Sequence, residues 1–216
     1  MSEPRHQALI DALGAELVPV RRLPPPWLRT LGWLALVAVF AVLLFARYGD
    51  APMLRRWAGA PDLAWAALGA VFTAITAAWA AFALAVPGRS RAWAWLPLPS
   101  ALLWVAASGL GCLRTWLAPD TSVATLHQSA DCLVFIIAFS IPLSALLVWL
   151  LRRACPLRPL LTALQVGLAS AAASASLLEI CHAVDAAATD LLTHALAVLI
   201  VIGANAAMGG RLLSRR

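Results

Sequence analysis

Four cysteines and four histidines hold most of the chemistry open to this chain. Cys112, Cys132 and Cys181 each stand near the end of a long apolar run, Glu179 and His182 lie at i, i+3 around Cys181, and Asp190 and His194 follow at i, i+4. On a helix those spacings put a carboxylate and an imidazole on one face, as metal ligation and carboxylate-oriented histidines both require. His127, Asp131, Asp120 and Asp185 occupy the adjoining segments. Thiolate with imidazole suits a soft or borderline cation such as zinc, copper or cadmium. Two thiols in an oxidising compartment can instead form a disulfide, provided their Cα atoms approach to about 4.4–6.8 Å. No CxxC or HxxxH pattern occurs. Three readings of this constellation therefore stand side by side: a solvated polar rim, a redox-active cysteine pair, and a metal-sensing site. Its candidate ligands are Cys132, Cys181, Glu179, His182, His127 and His194.

The elements that must position these groups are membrane spans. The chain has 216 residues, 62% hydrophobic and 12% charged, against about 45–50% and about 25% in soluble domains, so a soluble globular fold is excluded. Apolar runs at 28–46, 63–86, 93–113, 132–151, 160–181 and 191–210 are each long enough to cross a hydrocarbon core of about 30 Å. The predicted fold is all-α: a polytopic six-helix transmembrane bundle over 27–210, preceded by a short amphipathic segment at 1–26 and followed by a tail at 211–216. All 16 basic residues are arginines, and twelve of them fall on the side that holds both termini. Arg47, Arg55, Arg56 and Arg114 fall on the other side with seven of the ten acidic residues. The positive-inside rule then places both termini in the cytoplasm. The arginines orient the bundle, and no direct contact with nucleic acid is expected. No cleavable export signal is expected either, because the residues before the first span are polar or mixed and the prolines after Arg21-Arg22 make a poor twin-arginine context.

This topology sets Cys155 in an inner loop, as a thiol in a reducing cytoplasm, and Cys112, Cys132 and Cys181 at the outer face. Spans four and five are joined by the short loop Arg152 to Pro159, and Cys132 lies nearly as far before it as Cys181 lies after it. The pair therefore shares one height on an antiparallel hairpin. Cys112 reaches a similar level, so any single disulfide leaves one of the three over.

The first 26 residues contain a stripe of aliphatics. Leu9, Ile10, Leu13, Leu17 and Val20 fall within an arc of about 100° on a helical wheel. Ser2 is placed to cap the helix and Glu3 sits at the positive end of its dipole. Pro19 ends or kinks it, and Pro24-Pro25-Pro26 excludes continuation. The stripe suits either the headgroup layer beside Arg21 and Arg22 or an apolar groove on a protein partner.

Within the spans, small residues at four-residue spacing predict close helix contacts: Gly69, Thr73 and Ala77 in span two, Gly167 and Ala171 with Ser170 and Ser174 in span five, Gly203 and Ala207 in span six. Gln165 and Asn205 are expected to hydrogen-bond to each other, and Pro142 to kink span four. No acid or lysine stands at mid-span, so a proton relay or ion path is not expected.

Several separated motifs carry a family resemblance. Ser108-Gly109-Leu110-Gly111-Cys112, His127-Gln128-Ser129-Ala130-Asp131-Cys132, Arg152-Arg153-Ala154-Cys155-Pro156-Leu157-Arg158-Pro159 and Glu179-Ile180-Cys181-His182-Ala183-Val184-Asp185, in this order on six spans, resemble the NrsF family of multipass inner-membrane anti-sigma factors. The resemblance covers essentially the whole chain. It implies a non-enzymatic regulator of the bacterial inner membrane that holds an extracytoplasmic-function sigma factor and releases it on metal or oxidative stress. By position, Cys132 and Cys181 correspond to the family's paired outer cysteines and Cys112 to a third position. On this reading no resident cofactor is needed, and a heavy-metal ion is a signal. The partners are the sigma factor, met by Leu9, Ile10, Leu13, Leu17 and Val20 with Arg21 and Arg22 at the rim, and the lipid bilayer. A runner-up from another class is a membrane thiol oxidoreductase working with a quinone. A transporter lacks intramembrane charges and internal repeats.

Overall fold

The computed structural model describes residues 3–16, 23–49, 54, 61–117, 126–154, 156–181 and 188–213, and among the described residues every regular element is helical. A short helix, α1 (Glu3–Ala15), is followed by α2 (Pro26–Tyr48), α3 (Pro61–Leu84), a 3-10 turn (Arg91–Trp95), α4 (Leu98–Leu117), α5 (Leu126–Arg152), α6 (Pro159–Cys181) and α7 (Ala188–Leu213). Six of these stretches are long and apolar enough to cross a membrane. Proline opens α2, α3 and α6, where its missing N–H would have had no intrahelical partner. Behind α3 the chain reverses through Gly88 at φ +81°, a left-handed conformation that a side chain would strain.

The boundaries differ from the sequence expectation where proline intervenes. The third span is a 3-10 turn and then α4, because Pro97 has no N–H to continue the ladder; Leu96 instead donates to the Trp93 carbonyl at 3.2 Å. α5 starts six residues before Cys132, which therefore sits inside a helix rather than at its tip. Side chains 6–16 of the N-terminal segment are all exposed, among them Leu9, Ile10 and Leu13. Ser2, Leu17, Val20, Arg21 and Arg22 lie outside the described residues.

Two helices form the centre. The apolar windows of α3 and α6 are 67% and 72% buried, against 17–22% for the other four, so α2, α4, α5 and α7 surround them. Small residues bring the backbones together. A Cβ on Gly69 would stand 2.6 Å from the Trp104 nitrogen of α4, and one on Gly167 would stand 2.7 Å from the Ile202 Cα of α7. The expectation for span six needs correction: Gly203 faces open space, and the contact row of α7 is Val201, Asn205 and Gly209, with Gly209 against Ala163. Gly203 is two residues off that row, about 200° around the helix. Gly167→Leu is accordingly expected to destabilise the bundle by about 1–3 kcal/mol through overpacking, while Gly203→Leu changes little. Thermal unfolding of the two detergent-solubilised variants checks the contrast.

The expected Gln165–Asn205 bond is also replaced. Gln165 Nε2 donates to the Ala94 carbonyl at 3.1 Å, and Asn205 Nδ2 to Ser144 Oγ at 3.1 Å and the Val201 carbonyl at 2.9 Å. Each amide faces a different neighbour, so equal depth does not pair them. Ser140 Oγ donates to Ser174 Oγ at 3.0 Å and ties α5 to α6. α2 grips α5 at two places: Trp33 Nε1 donates to the Leu143 carbonyl at 3.1 Å, one residue beyond Pro142, and Arg29 donates to the Leu150 carbonyl. The Arg29 guanidinium also lies 4.4 Å from the centre of the Phe82 ring of α3. Through that cation–π contact and the bond to Leu150, Arg29 joins three helices at the end of the bundle nearest α1 in the chain.

Candidate functional site: cysteine cluster and charged cavity

At the opposite end two groups of side chains gather. The first is a small core cluster in which Cys132 of α5 packs with Ile136, Leu178 of α6 and Ala197 of α7, and Cys181 and Leu133 are among the partly buried residues packed against it. Cys132 is buried and Cys181 half-buried. The Cys181 thiol donates to the Leu178 carbonyl at 3.4 Å and more weakly to that of Leu177 at 3.9 Å. The cluster follows from the hairpin: α5 and α6 run from a short loop, so cysteines about equally far from it come to the same small core cluster. Cys112 is half-buried on α4, which packs mainly on α3, and it stands outside this cluster.

The second group surrounds a cavity of about 530 Å³ between α3, α4, α6 and α7, lined by Asp62, Arg114, Glu179 and His194 and, deeper, by Ala66, Trp104, Val105, Ala175, Val198 and Leu199. Asp62 lies in the first turn of α3 and Arg114 in the last turn of α4, each at the helix end whose dipole favours its charge. They form an ion pair at 3.3 Å. Gly111 makes room for it, since a Cβ there would stand 2.7 Å from Asp62 Oδ2. Across the cavity, Glu179 Oε2 and His194 Nε2 each expose less than 1 Å².

The structure thus divides the residues that the sequence grouped together. Cys132 and Cys181 share one cluster, whereas Glu179 and His194 face the neighbouring cavity. His182 and the side chain of His127 lie outside the described residues. Among the described residues no three of His, Cys, Asp and Glu come close enough to hold one metal ion. Asp62 and Arg114 enter the site from outside the predicted set. The signals that point to them are Gly111 in the Ser108-Gly109-Leu110-Gly111-Cys112 motif and an acid directly after the proline that opens α3.

Six helices long and apolar enough to cross a membrane, a thiol cluster and a charged cavity define a multipass helical membrane protein. The chain belongs to the family described as Negative regulator of sigma F, which it matches over residues 13–214. No curated protein and no solved structure matches it. It is therefore an anti-sigma factor, with a sigma factor as its partner. The matched region begins at Leu13 within α1 and takes in all six spans.

Proposed function

We propose that this protein holds an extracytoplasmic-function sigma factor at the cytoplasmic face of the bacterial inner membrane and frees it when Cys132 and Cys181 react with a soft metal ion or an oxidant in the periplasm. The observation that carries the reading is the shared cluster of Cys132 and Cys181, on two helices that a short hairpin loop joins at the far end. Metal capture replaces two thiol protons by two metal–sulfur bonds. A two-electron oxidant removes two electrons and two protons and leaves a sulfur–sulfur bond. Either event changes how the first turns of α5 meet the last turns of α6.

α5 connects that event to the cytoplasm. From Cys132 to Leu150 it spans about 27 Å at 1.5 Å per residue. At its far end the Leu150 carbonyl, one of the last four without an intrahelical partner, is held by Arg29. Arg29 stands three residues beyond Pro26, where the proline tether from α1 enters α2. Helices packed this tightly move between discrete arrangements, so a shift of α5 biases α2 and, through the tether, the segment that holds the sigma factor. Arg29→Met and Trp33→Phe are expected to leave cadmium binding at the thiols intact and to weaken its coupling to release by about 0.5–2 kcal/mol, a twofold to thirtyfold change. Thiol titration alongside sigma-factor release in one membrane preparation checks this.

The quinone-linked reading gains nothing from the structure, since neither Cys132 nor Cys181 lines the cavity that a quinone head would enter. Orientation is tested with an impermeant maleimide on spheroplasts of a strain carrying Ser2→Cys. The reading expects that position to label only after lysis and Cys181 to label before it; labelling of the N-terminal position from outside refutes it.

A further inference from the structure

The cavity between α3, α4, α6 and α7 has a polarity that runs along the membrane normal. Asp62, Arg114, Glu179 and His194 stand at the bundle end, and Ala66, Ala175, Val105 and Leu199 lie deeper. From Arg114 to Val105 the depth along α4 is about 14 Å. The lining is open sideways: α4 and α7 touch sparsely, and Val105 and Leu199, which face the cavity, are 67% and 66% exposed at the surface that meets lipid tails. At about 530 Å³ the space lies within the roughly 300–1,000 Å³ of small-molecule sites. A molecule entering from the side with its head at the bundle end would sit as a bilayer lipid sits.

The head is selected by charge. Asp62 and Glu179 are two carboxylates, acceptors only when ionised, and they complement a cation rich in N–H donors. Arg114 retains donors beyond its single contact to Asp62 and is itself 44% exposed, and a guanidinium suits a phosphate. His194 also lines this end of the cavity. A primary ammonium joined to a phosphodiester answers both demands. A purely anionic head meets two carboxylates against one arginine, and a quaternary ammonium brings no N–H to the carboxylates. We infer that this cavity is a binding site for one phospholipid with an ethanolamine headgroup, its ammonium toward Glu179 and Asp62, its phosphate toward Arg114, and an acyl chain along Val105 and Leu199.

Native mass spectrometry of the full chain in detergent tests this, with phosphatidylethanolamine, phosphatidylcholine and phosphatidylglycerol of identical acyl chains added at equal concentration. The expected result is one retained phosphatidylethanolamine, held at least tenfold more persistently than the other two. Glu179→Gln should bring its retention down to that of phosphatidylcholine. Val105→Trp, which fills the apolar lining and leaves the four polar side chains in place, should abolish the single retained lipid. Equal retention of all three lipids by the unmodified protein shows surrounding lipid only and overturns the proposal. So does a preference for phosphatidylglycerol, or displacement of the retained lipid by an isoprenoid quinone. The wild-type comparison of headgroups needs no variant and decides the matter even where a variant fails to fold.

Discussion

The double substitution Leu13→Asp, Leu17→Asp is expected to abolish retention of the sigma factor at the membrane. Leu13 is exposed on α1, so its replacement removes no contact within the bundle. Leu13 and Leu17 lie one helical turn apart in the sequence, and both fall inside the matched region of the family. Burying a leucine against a partner contributes about 1.5–3 kcal/mol. Two leucines therefore supply about 3–6 kcal/mol, and two aspartates add the cost of desolvating charge. At 1.4 kcal/mol per factor of ten, affinity falls by at least roughly a hundredfold. Co-purification of the sigma factor with the full-length protein measures it. Asp11→Ala, on the face opposite the stripe, should leave retention unchanged. Equal retention by the double variant and the parent would show that the sigma factor docks elsewhere.

The second large effect concerns the thiols. Cys132→Ser, Cys181→Ser is expected to give a protein that holds its sigma factor and no longer responds to cadmium. Serine preserves the size of the side chain, and the cluster with Ile136, Leu178 and Ala197 stays filled. What is lost is the pair of soft ligands. Losing an outer-shell partner already lowers metal affinity by about 10- to 100-fold, and losing two thiolates should exceed that. The half-effective cadmium concentration is therefore expected to rise by more than roughly 100-fold. Cys112→Ser should respond like the parent, because Cys112 stands on α4 outside the cluster. A sigma-dependent reporter, titrated with cadmium in the three strains, separates these outcomes.

Much of this arrangement was legible in the residues. Six apolar runs are visible because crossing a membrane demands length and hydrophobicity within one continuous segment. That Cys132 and Cys181 border one apolar cluster was legible for a similar reason: a short loop fixes both register and direction for the two helices it joins. Gly69 and Gly167 mark close contacts as expected. Gly203 does not, since its spacing to Ala207 is right but its direction is wrong. A helix that is apolar on every side does not declare which face meets protein and which meets lipid. The same gap misassigned Gln165 and Asn205, whose equal depth said nothing of their azimuth. Asp62 and Arg114 were hidden for a different cause. They come from helices whose connection includes the 3-10 turn and the break at Pro97, and the spacing between them in the chain carries no trace of their 3.3 Å approach. Glu179 was read together with the thiols because i, i+3 spacing links it to His182, yet on α6 it lines the cavity.

The coupling of thiol chemistry to sigma-factor release can be read in one sample. The full-length protein, reconstituted in vesicles with its sigma factor bound on the side of α1, receives cadmium on the opposite side, and bound sigma factor is followed by co-sedimentation while the thiols are counted by mass spectrometry after alkylation. The account predicts that sigma factor leaves the vesicles in proportion to the protection of Cys132 and Cys181 from alkylation, and that the double serine variant keeps its sigma factor throughout. Release from the double serine variant at the same cadmium concentration, or full protection of both thiols with the sigma factor still bound, would contradict it.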